Sequence, residues 1–509
     1  MAEEKLLLSA PKVEQQKEAI KLPAEAETLR VKRSGVENDS EQKPVIKVPE
    51  KIEKVFAGIE KNFDKHITKV QEFLKQSSVS AEKEGIIETA LMVKGMIESI
   101  GGKATFHGSD DFPIVFGQLD LGKPKTLLIY GMYDVQPADE KTWKTPPFSA
   151  DLRETSQHGK CIFARGAVNS KGSLASLFNA LREMKANDEI PVNLKFTIEG
   201  EEELGSPHFA AFVEKHKDEL KADACVDFDF AQDTDQKVTM QLGVKGIITF
   251  DIVCKGGRVG GPAEKEVHSA DSAWISSPAW RMVQFLSTLV DKKEKVLIDG
   301  FYDNVIPPSK EDVELLDKLA KTFDENAILR EIKSLRFKYD SHGAELLQKY
   351  LYLPTLNITG VSSGYTGPGQ KSVLPSKARA KMEIRLVPNQ KHEEILDKFR
   401  KHIVKHGFDD ITMEDVFAYP WSKTPVSSRI VHEMIDAYRI LGHEPEIWPL
   451  GAWSAPYYVF SNLLNLPFVR GGLGSGDGEH SANEYCTVDG IKQFEKFVVV
   501  FLNEFAGKK

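Results

Sequence analysis

Short apolar runs alternating with helical signals constrain this chain more than any other feature. Thr126-Leu127-Leu128-Ile129-Tyr130-Gly131, Asn193 to Ile198 and Ala224-Cys225-Val226-Asp227-Phe228 read as strands. Lys171-Gly172-Ser173-Leu174-Ala175-Ser176-Leu177-Phe178 begins a helix between the first two. Strands spaced by helices imply an α/β fold, a largely parallel sheet wrapped by helices.

One strand end stands out chemically. Ile198 is followed by Glu199-Gly200-Glu201-Glu202-Glu203-Leu204-Gly205-Ser206, which holds three consecutive carboxylates. Open α/β sheets place ligands at such ends. Adjacent carboxylates repel unless a cation or a shared proton relieves them, so the cluster suggests a metal or acid/base site. Taken alone, it reads as a solvated acidic turn.

A chain of 509 residues has room for two or more domains. Its 41% hydrophobic and 28% charged content is that of a soluble globular protein. A net charge of −9 without a long basic block argues against a nucleic-acid surface. Cys161, Cys225, Cys254 and Cys486 lie far apart and form no CxxC, which reads as reduced, mostly buried thiols in a cytoplasmic protein. No apolar run approaches the ~20 residues of a membrane helix. The start, Met1-Ala2-Glu3-Glu4-Lys5, carries acid where a signal peptide carries base.

Residues 1–45 are rich in Glu, Lys, Gln, Pro and Ala and read as a disordered tail. Ile52, Val55, Phe56, Ile59, Phe63, Ile67, Val70 and Phe73 recur at spacings of three and four, which predicts an amphipathic helix. The character changes after Gly246. Ile247 to Cys254 and Ala380 to Val387 are predicted strands, with helices around 274–290 and 392–406 and charged helices near 311–348. The expected layout is a catalytic domain of residues 50–242 and 418–509, interrupted by an α+β lid and dimerisation domain over 243–417.

Eight motifs follow one another in order. They are Gly131-Met132-Tyr133-Asp134-Val135-Gln136-Pro137, Trp143 to Phe148, Arg165-Gly166-Ala167-Val168-Asn169-Ser170-Lys171-Gly172, and Glu199 to Ser206. Asp229 with Gly243-Val244-Lys245-Gly246, Val267-His268-Ser269, and Gly367 to Pro375 with Ile384-Arg385-Leu386 come next, and His480-Ser481-Ala482-Asn483-Glu484 closes the series. Together they resemble the M20 metallopeptidase family, nearest its carnosine dipeptidase-like and succinyl-diaminopimelate desuccinylase-like branches, over roughly residues 50–505. The resemblance implies a zinc-exopeptidase-like catalytic domain with a two-metal site for cleaving peptide or amide bonds. Position by position, it makes Glu202 the general base. Glu203, Asp229 and His480 become metal ligands, and Asn169 takes the bridging position. Asp134 becomes the residue orienting the ligand two places before it. It gives His268 a role at the partner subunit's active site in a homodimer, and Arg385, with Ser454, the substrate's carboxylate. The chemistry agrees: carboxylate and imidazole suit zinc or manganese, a neighbouring carboxylate takes a proton from metal-bound water, and arginine matches a carboxylate in a bidentate way.

Two metal positions depart from the family. Met132 stands where it has histidine, and Asn169 where it has the bridging aspartate; Ser170 replaces a common aspartate and Lys245 a common arginine. A thioether is a poor partner for zinc or manganese, and a neutral amide does not hold two cations together. Met132 reads as a packing residue filling a vacated slot. His208, just past the acidic turn, reads as a surface histidine rather than a substitute ligand. Gly360-Val361-Ser362-Ser363-Gly364 matches GxSxG, but the sequence after it cannot be the helix a nucleophile elbow needs.

The expected function is hydrolysis of an amide, peptide or related C–N bond in a small carboxylate-bearing or dipeptide-like substrate. The expected cofactor is one zinc or manganese per chain, or none. Two alternatives stay open: a non-catalytic binding or regulatory protein on the same fold, and a metal-free acid/base enzyme.

Overall fold

Pro49 fixes the entry to the first helix, α1 (Glu50–Lys75), and cannot continue it backwards. Glu50 and Glu53 in its first turn and Lys75 in its last complement the helix dipole. The predicted stripe is the buried face: Ile52, Val55, Ile59, Ile67, Val70 and Phe73 are all inside. The structure, a computed structural model, describes residues 48–233 and 236–507, so the expected tail over 1–45 lies outside the described residues. Next come α2 (Ile86–Ser99), β1 (Lys103–Gly108), β2 (Pro113–Leu119), β3 (Thr126–Met132), α3 (Lys171–Ala186), β4 (Asn193–Glu199), β5 (Ala224–Phe228) and β6 (Thr239–Gln241). β3 and β5 are apolar almost without alternation because both faces of the sheet are covered.

A second sheet follows, built from β7 (Gly246–Lys255), β8 (Thr355–Ser363), β9 (Lys377–Leu386) and β10 (Ile411–Tyr419) in the order β8-β9-β7-β10, all antiparallel. The helices α4 (Pro278–Leu289) and α5 (His392–Lys405) bring Phe285 and Phe399 onto Phe250 and Ile252. The GxSxG stretch lies in β8, an extended edge strand with no helix behind it. The charged helices Lys310–Leu319 and Gly343–Tyr352 do not join that core. Leu316, Leu319, Leu347 and Leu351 form a separate apolar cluster with Leu450.

The chain returns to the first sheet with α6 (Arg429–Ile440), β11 (Glu446–Trp448), β12 (Phe468–Gly471) and α7 (Val488–Ala506). The eight strands run β1-β2-β4-β3-β5-β12-β6-β11. The central pairs β4·β3, β3·β5 and β5·β12 are parallel, while β1·β2, β2·β4 and β12·β6 are antiparallel. The fold is therefore a mixed, largely parallel α/β sheet plus an inserted α+β domain. All four cysteines are free and buried. Among the described residues no helix is long and apolar enough to cross a membrane.

Parallel strands present all their carboxyl ends on one side. Met132, Glu199, Phe228 and Gly471 end β3, β4, β5 and β12, so the segments after them share one crevice. Gly200 lets the acidic turn pass the ring of Tyr133, which a Cβ there would overlap. Gly205 closes the turn at φ +86°, where a side chain is strained.

Candidate active site

Asp134 organises the crevice. It is fully buried just beyond β3, and its carboxylate accepts the backbone N–H of Glu202 at 3.1 Å and of Glu203 at 3.0 Å. It thus orients the acidic turn through the backbone. Burial, with Glu203 adding repulsion, pushes its pKa up to about 7. Glu202 is pushed up to about 8, first by burial and then by Glu203, Asp134 and Asp227. No side-chain hydrogen bond ties the Glu202 carboxylate among the described residues.

Glu203, Asn169 and His480 meet at one point. The Asn169 amide Nδ2 donates to Glu203 Oε1 at 3.0 Å and lies 3.1 Å from His480 Nε2, which is 3.2 Å from Glu203 Oε1. Gln136 donates to the other Glu203 oxygen at 2.8 Å. Ser170 Oγ donates to Asn169 Oδ1 at 3.1 Å and so turns the amide nitrogen inward. Glu484 fixes this loop from beneath: its buried carboxylate accepts from the N–H groups of Gly166, Val168 and Asn169 at 2.9–3.0 Å and from Arg165 at 2.8 Å.

Protons close this triangle as it stands: the two hydrogens of Asn169 Nδ2 serve Glu203 Oε1 and His480 Nε2, or Asn169 and His480 both donate to Glu203. A cation would replace them only with the amide turned to present Oδ1, which gives up the Ser170 bond. The separations within the triangle approach the ligand–ligand edge of about 3.4 Å that tetrahedral zinc at ~2.1 Å implies. One carboxylate, one imidazole and one amide oxygen are donors that would suit a single divalent ion. Among the described residues no three His, Cys, Asp or Glu side chains group as a metal site.

Asp229 lies apart from that triangle, in an ion pair with Arg470 of β12, and its other oxygen accepts the N–H of Phe230 at 2.8 Å. Arg470 stands opposite Asp227 in the parallel register and approaches its carboxylate to 3.6 Å, while Tyr457 donates to Asp227 at 2.7 Å. Met132 is buried at the end of β3. His208 bonds Glu201 at 2.8 Å and makes no contact with Glu203.

The second sheet supplies the other wall. Arg385 on β9 donates to Ser454 Oγ at 2.7 Å and is paired with Glu383 at 3.0 Å. Tyr419 at the end of β10 is within electrostatic reach of both Glu202 and Arg385. Lys245 instead spends its ammonium on the carbonyls of Tyr350 and Leu353, both at 2.8 Å. His268 is exposed on a two-residue strand, accepts the N–H of Ala270 at 3.1 Å, and meets none of these residues within the chain.

Four contributors escaped the sequence reading: Gln136, Glu484, Arg470 and Tyr457. Gln136 and Glu484 lie inside motifs already singled out. Arg470 is the lone charge in Phe468-Val469-Arg470-Gly471, which was its only signal.

The model of peptidase family M20/M25/M40 matches residues 128–504. The chain is 28% identical to the Cys-Gly metallodipeptidase of Schizosaccharomyces pombe over 89% of its own length and 98% of the relative's. It is 26% identical to the human Beta-Ala-His dipeptidase, over 88% and 92%. An M20 family metallo-carboxypeptidase from Sulfolobus solfataricus superposes with a TM-score of 0.79 at 32% identity, covering 87% of this chain and 99% of that one. With three quarters of its length matched by the family model and the strand-end crevice in place, the chain belongs to peptidase family M20/M25/M40.

Proposed function

We propose that this chain hydrolyses the peptide bond of dipeptide-like substrates that carry a free carboxylate, with Glu202 as general base. The observation that carries this reading is the state of Glu202: its backbone is clamped by Asp134, and its carboxylate is free of side-chain hydrogen bonds and raised toward neutral pH. A base poised near the working pH takes up a proton from water and still returns it to a leaving amine. The relatives named as dipeptidases and a metallo-carboxypeptidase support the substrate class.

Glu203, His480 and Asn169 are the residues that would hold one zinc or manganese ion. Bound there, such an ion supplies a Lewis acid and lowers the pKa of its water. Asp134 holds Glu202 and Glu203 in register. Arg385 and Ser454 bind the substrate carboxylate, for which Arg385 exchanges Glu383. Residues 243–417 act as lid and dimerisation domain, and His268 serves the neighbouring site of a homodimer. The four buried free thiols suit a reducing, cytoplasmic compartment.

The test is hydrolysis of Cys-Gly and β-Ala-His with zinc or manganese supplied. Glu202→Gln is expected to lower kcat by about 10²–10⁴-fold while metal content stays that of the wild type. Turnover unchanged by the substitution would sink the assignment. A second reading, a binding protein or a metal-free acid/base enzyme on this fold, is favoured by Asn169 and Met132 at two ligand positions. Activity that survives chelation, or tight carboxylate binding without turnover, would select it.

A further inference from the structure

We infer that Arg470 is a built-in cation that takes the place of a second metal ion, so that the crevice accepts no more than one divalent ion per chain. The donor set at the Asp229 position does not fit a metal. One oxygen of Asp229 is held by the Arg470 guanidinium and the other by the backbone N–H of Phe230. Met132 offers a thioether, which is a poor ligand for zinc or manganese. A divalent ion entering there would meet a guanidinium instead of a free carboxylate and be repelled.

The geometry shows that the guanidinium is fixed. Arg470 and Asp227 are direct neighbours in the β12·β5 register. Asp229 follows Asp227 by two residues, just past the end of β5. Arg470 bridges them, pairing with Asp229 and approaching Asp227 to 3.6 Å. Trp453 lies against the guanidinium, 5.3 Å from ring centroid to carbon, and is itself held by a 2.7 Å bond to Gln241. Tyr457 supplies a further hydrogen bond to Asp227. A buried carboxylate pair left by a missing ion needs compensating charge, and Arg470 provides it without solvent exchange or loss to chelators. Met132 and Asn169 each withhold a ligand, and Arg470 supplies positive charge beside Asp229 and Asp227.

The test is metal stoichiometry, read by native mass spectrometry and by competition with a chromophoric zinc chelator, so the outcome does not depend on whether the chain hydrolyses dipeptides. The wild type is expected to take up no more than one zinc. Met132→His with Asn169→Asp restores the lost ligands but keeps Arg470, and is expected to stay at the wild-type stoichiometry. Adding Arg470→Leu to that pair is expected to raise it by one ion per chain. Two zinc ions in the wild type would overturn the inference. So would a second ion gained by the double variant with Arg470 in place, or a folded triple variant that gains none. Should the triple variant fail to fold, the double variant decides alone.

Discussion

At the residue scale, the crevice is a set of carboxylates whose protons and partners are decided by depth. Asp134 and Glu202 are pushed up to about 7 and about 8, with burial the largest cause in each. Both folded values stand above those of the unfolded chain, so each group favours folding at low pH and loses that contribution as pH rises through the folded value. In metal-stripped protein, stability is expected to fall from about pH 5 to 8, by up to about 1.4 kcal/mol per pH unit for each group that stays protonated only when folded. Urea unfolding of Glu202→Gln across that range is the check: its pH slope should be shallower than the wild type's. An identical slope would mean that Glu202 is ionised throughout. The sequence exposed these two residues as part of an acidic triplet and a strand-end motif. It did not expose which carboxylates are buried, because the pKa follows from the atoms packed around the group rather than from its neighbours along the chain. His208 shows the same limit: it bonds the turn's buried Glu201 and not Glu203, a choice among three adjacent carboxylates that the sequence does not reveal.

At the element scale, two buried carboxylates act as latches between segments distant in sequence. Glu484 holds the N–H groups of Gly166, Val168 and Asn169 and so sets where the Asn169 amide points. Glu484→Gln keeps the size but donates where it must accept. It is expected to weaken zinc binding about 10–100-fold, as loss of a positioning partner does. Isothermal titration would measure this, and an unchanged affinity would remove Glu484 from the site's support. The second latch joins α1, α3 and α7. His66 lies between Glu495 at 2.8 Å and Glu183 at 3.2 Å, and Asn179 donates to Glu495 at 3.1 Å. Burial opposes protonation of His66, but the two carboxylates outweigh it and raise its pKa. His66→Ala strands a buried charge and is expected to cost about 3–5 kcal/mol in urea denaturation. The stripe in α1 was legible because its apolar residues repeat at helical spacing. His66 was not, since a polar residue on an apolar face declares no partner until the neighbouring helices are placed.

At the scale of the whole molecule, β8 forms an edge of the inserted sheet with no further strand paired to it among the described residues. β8 leaves Ile358 43% and Val361 56% exposed beside free backbone groups, a surface that invites pairing with another strand. If the 243–417 region serves dimerisation, light scattering after gel filtration should give twice the mass of one chain. Val361→Lys with Ile358→Lys should then shift it toward the monomer. A wild-type monomer with full dipeptidase activity would exclude a shared site built with His268. The helices at 310–352 show how local reading underdetermines assembly. Their helical character was plain, yet their apolar residues pack on Leu450 rather than on the core of the second sheet.

The sequence by itself determined the alternation of strands and helices, because apolar periodicity is written locally. It determined the order of motifs that place this chain in its family, and it set Met132 and Asn169 within those motifs. Only the tertiary structure decided which charges meet around the strand ends. Arg470 lies 241 residues from Asp229 in sequence. It becomes that residue's partner because β12 is laid parallel to β5 with Arg470 opposite Asp227. Strand order and register are properties of the whole sheet, and charge compensation between its strands is settled only when the sheet forms.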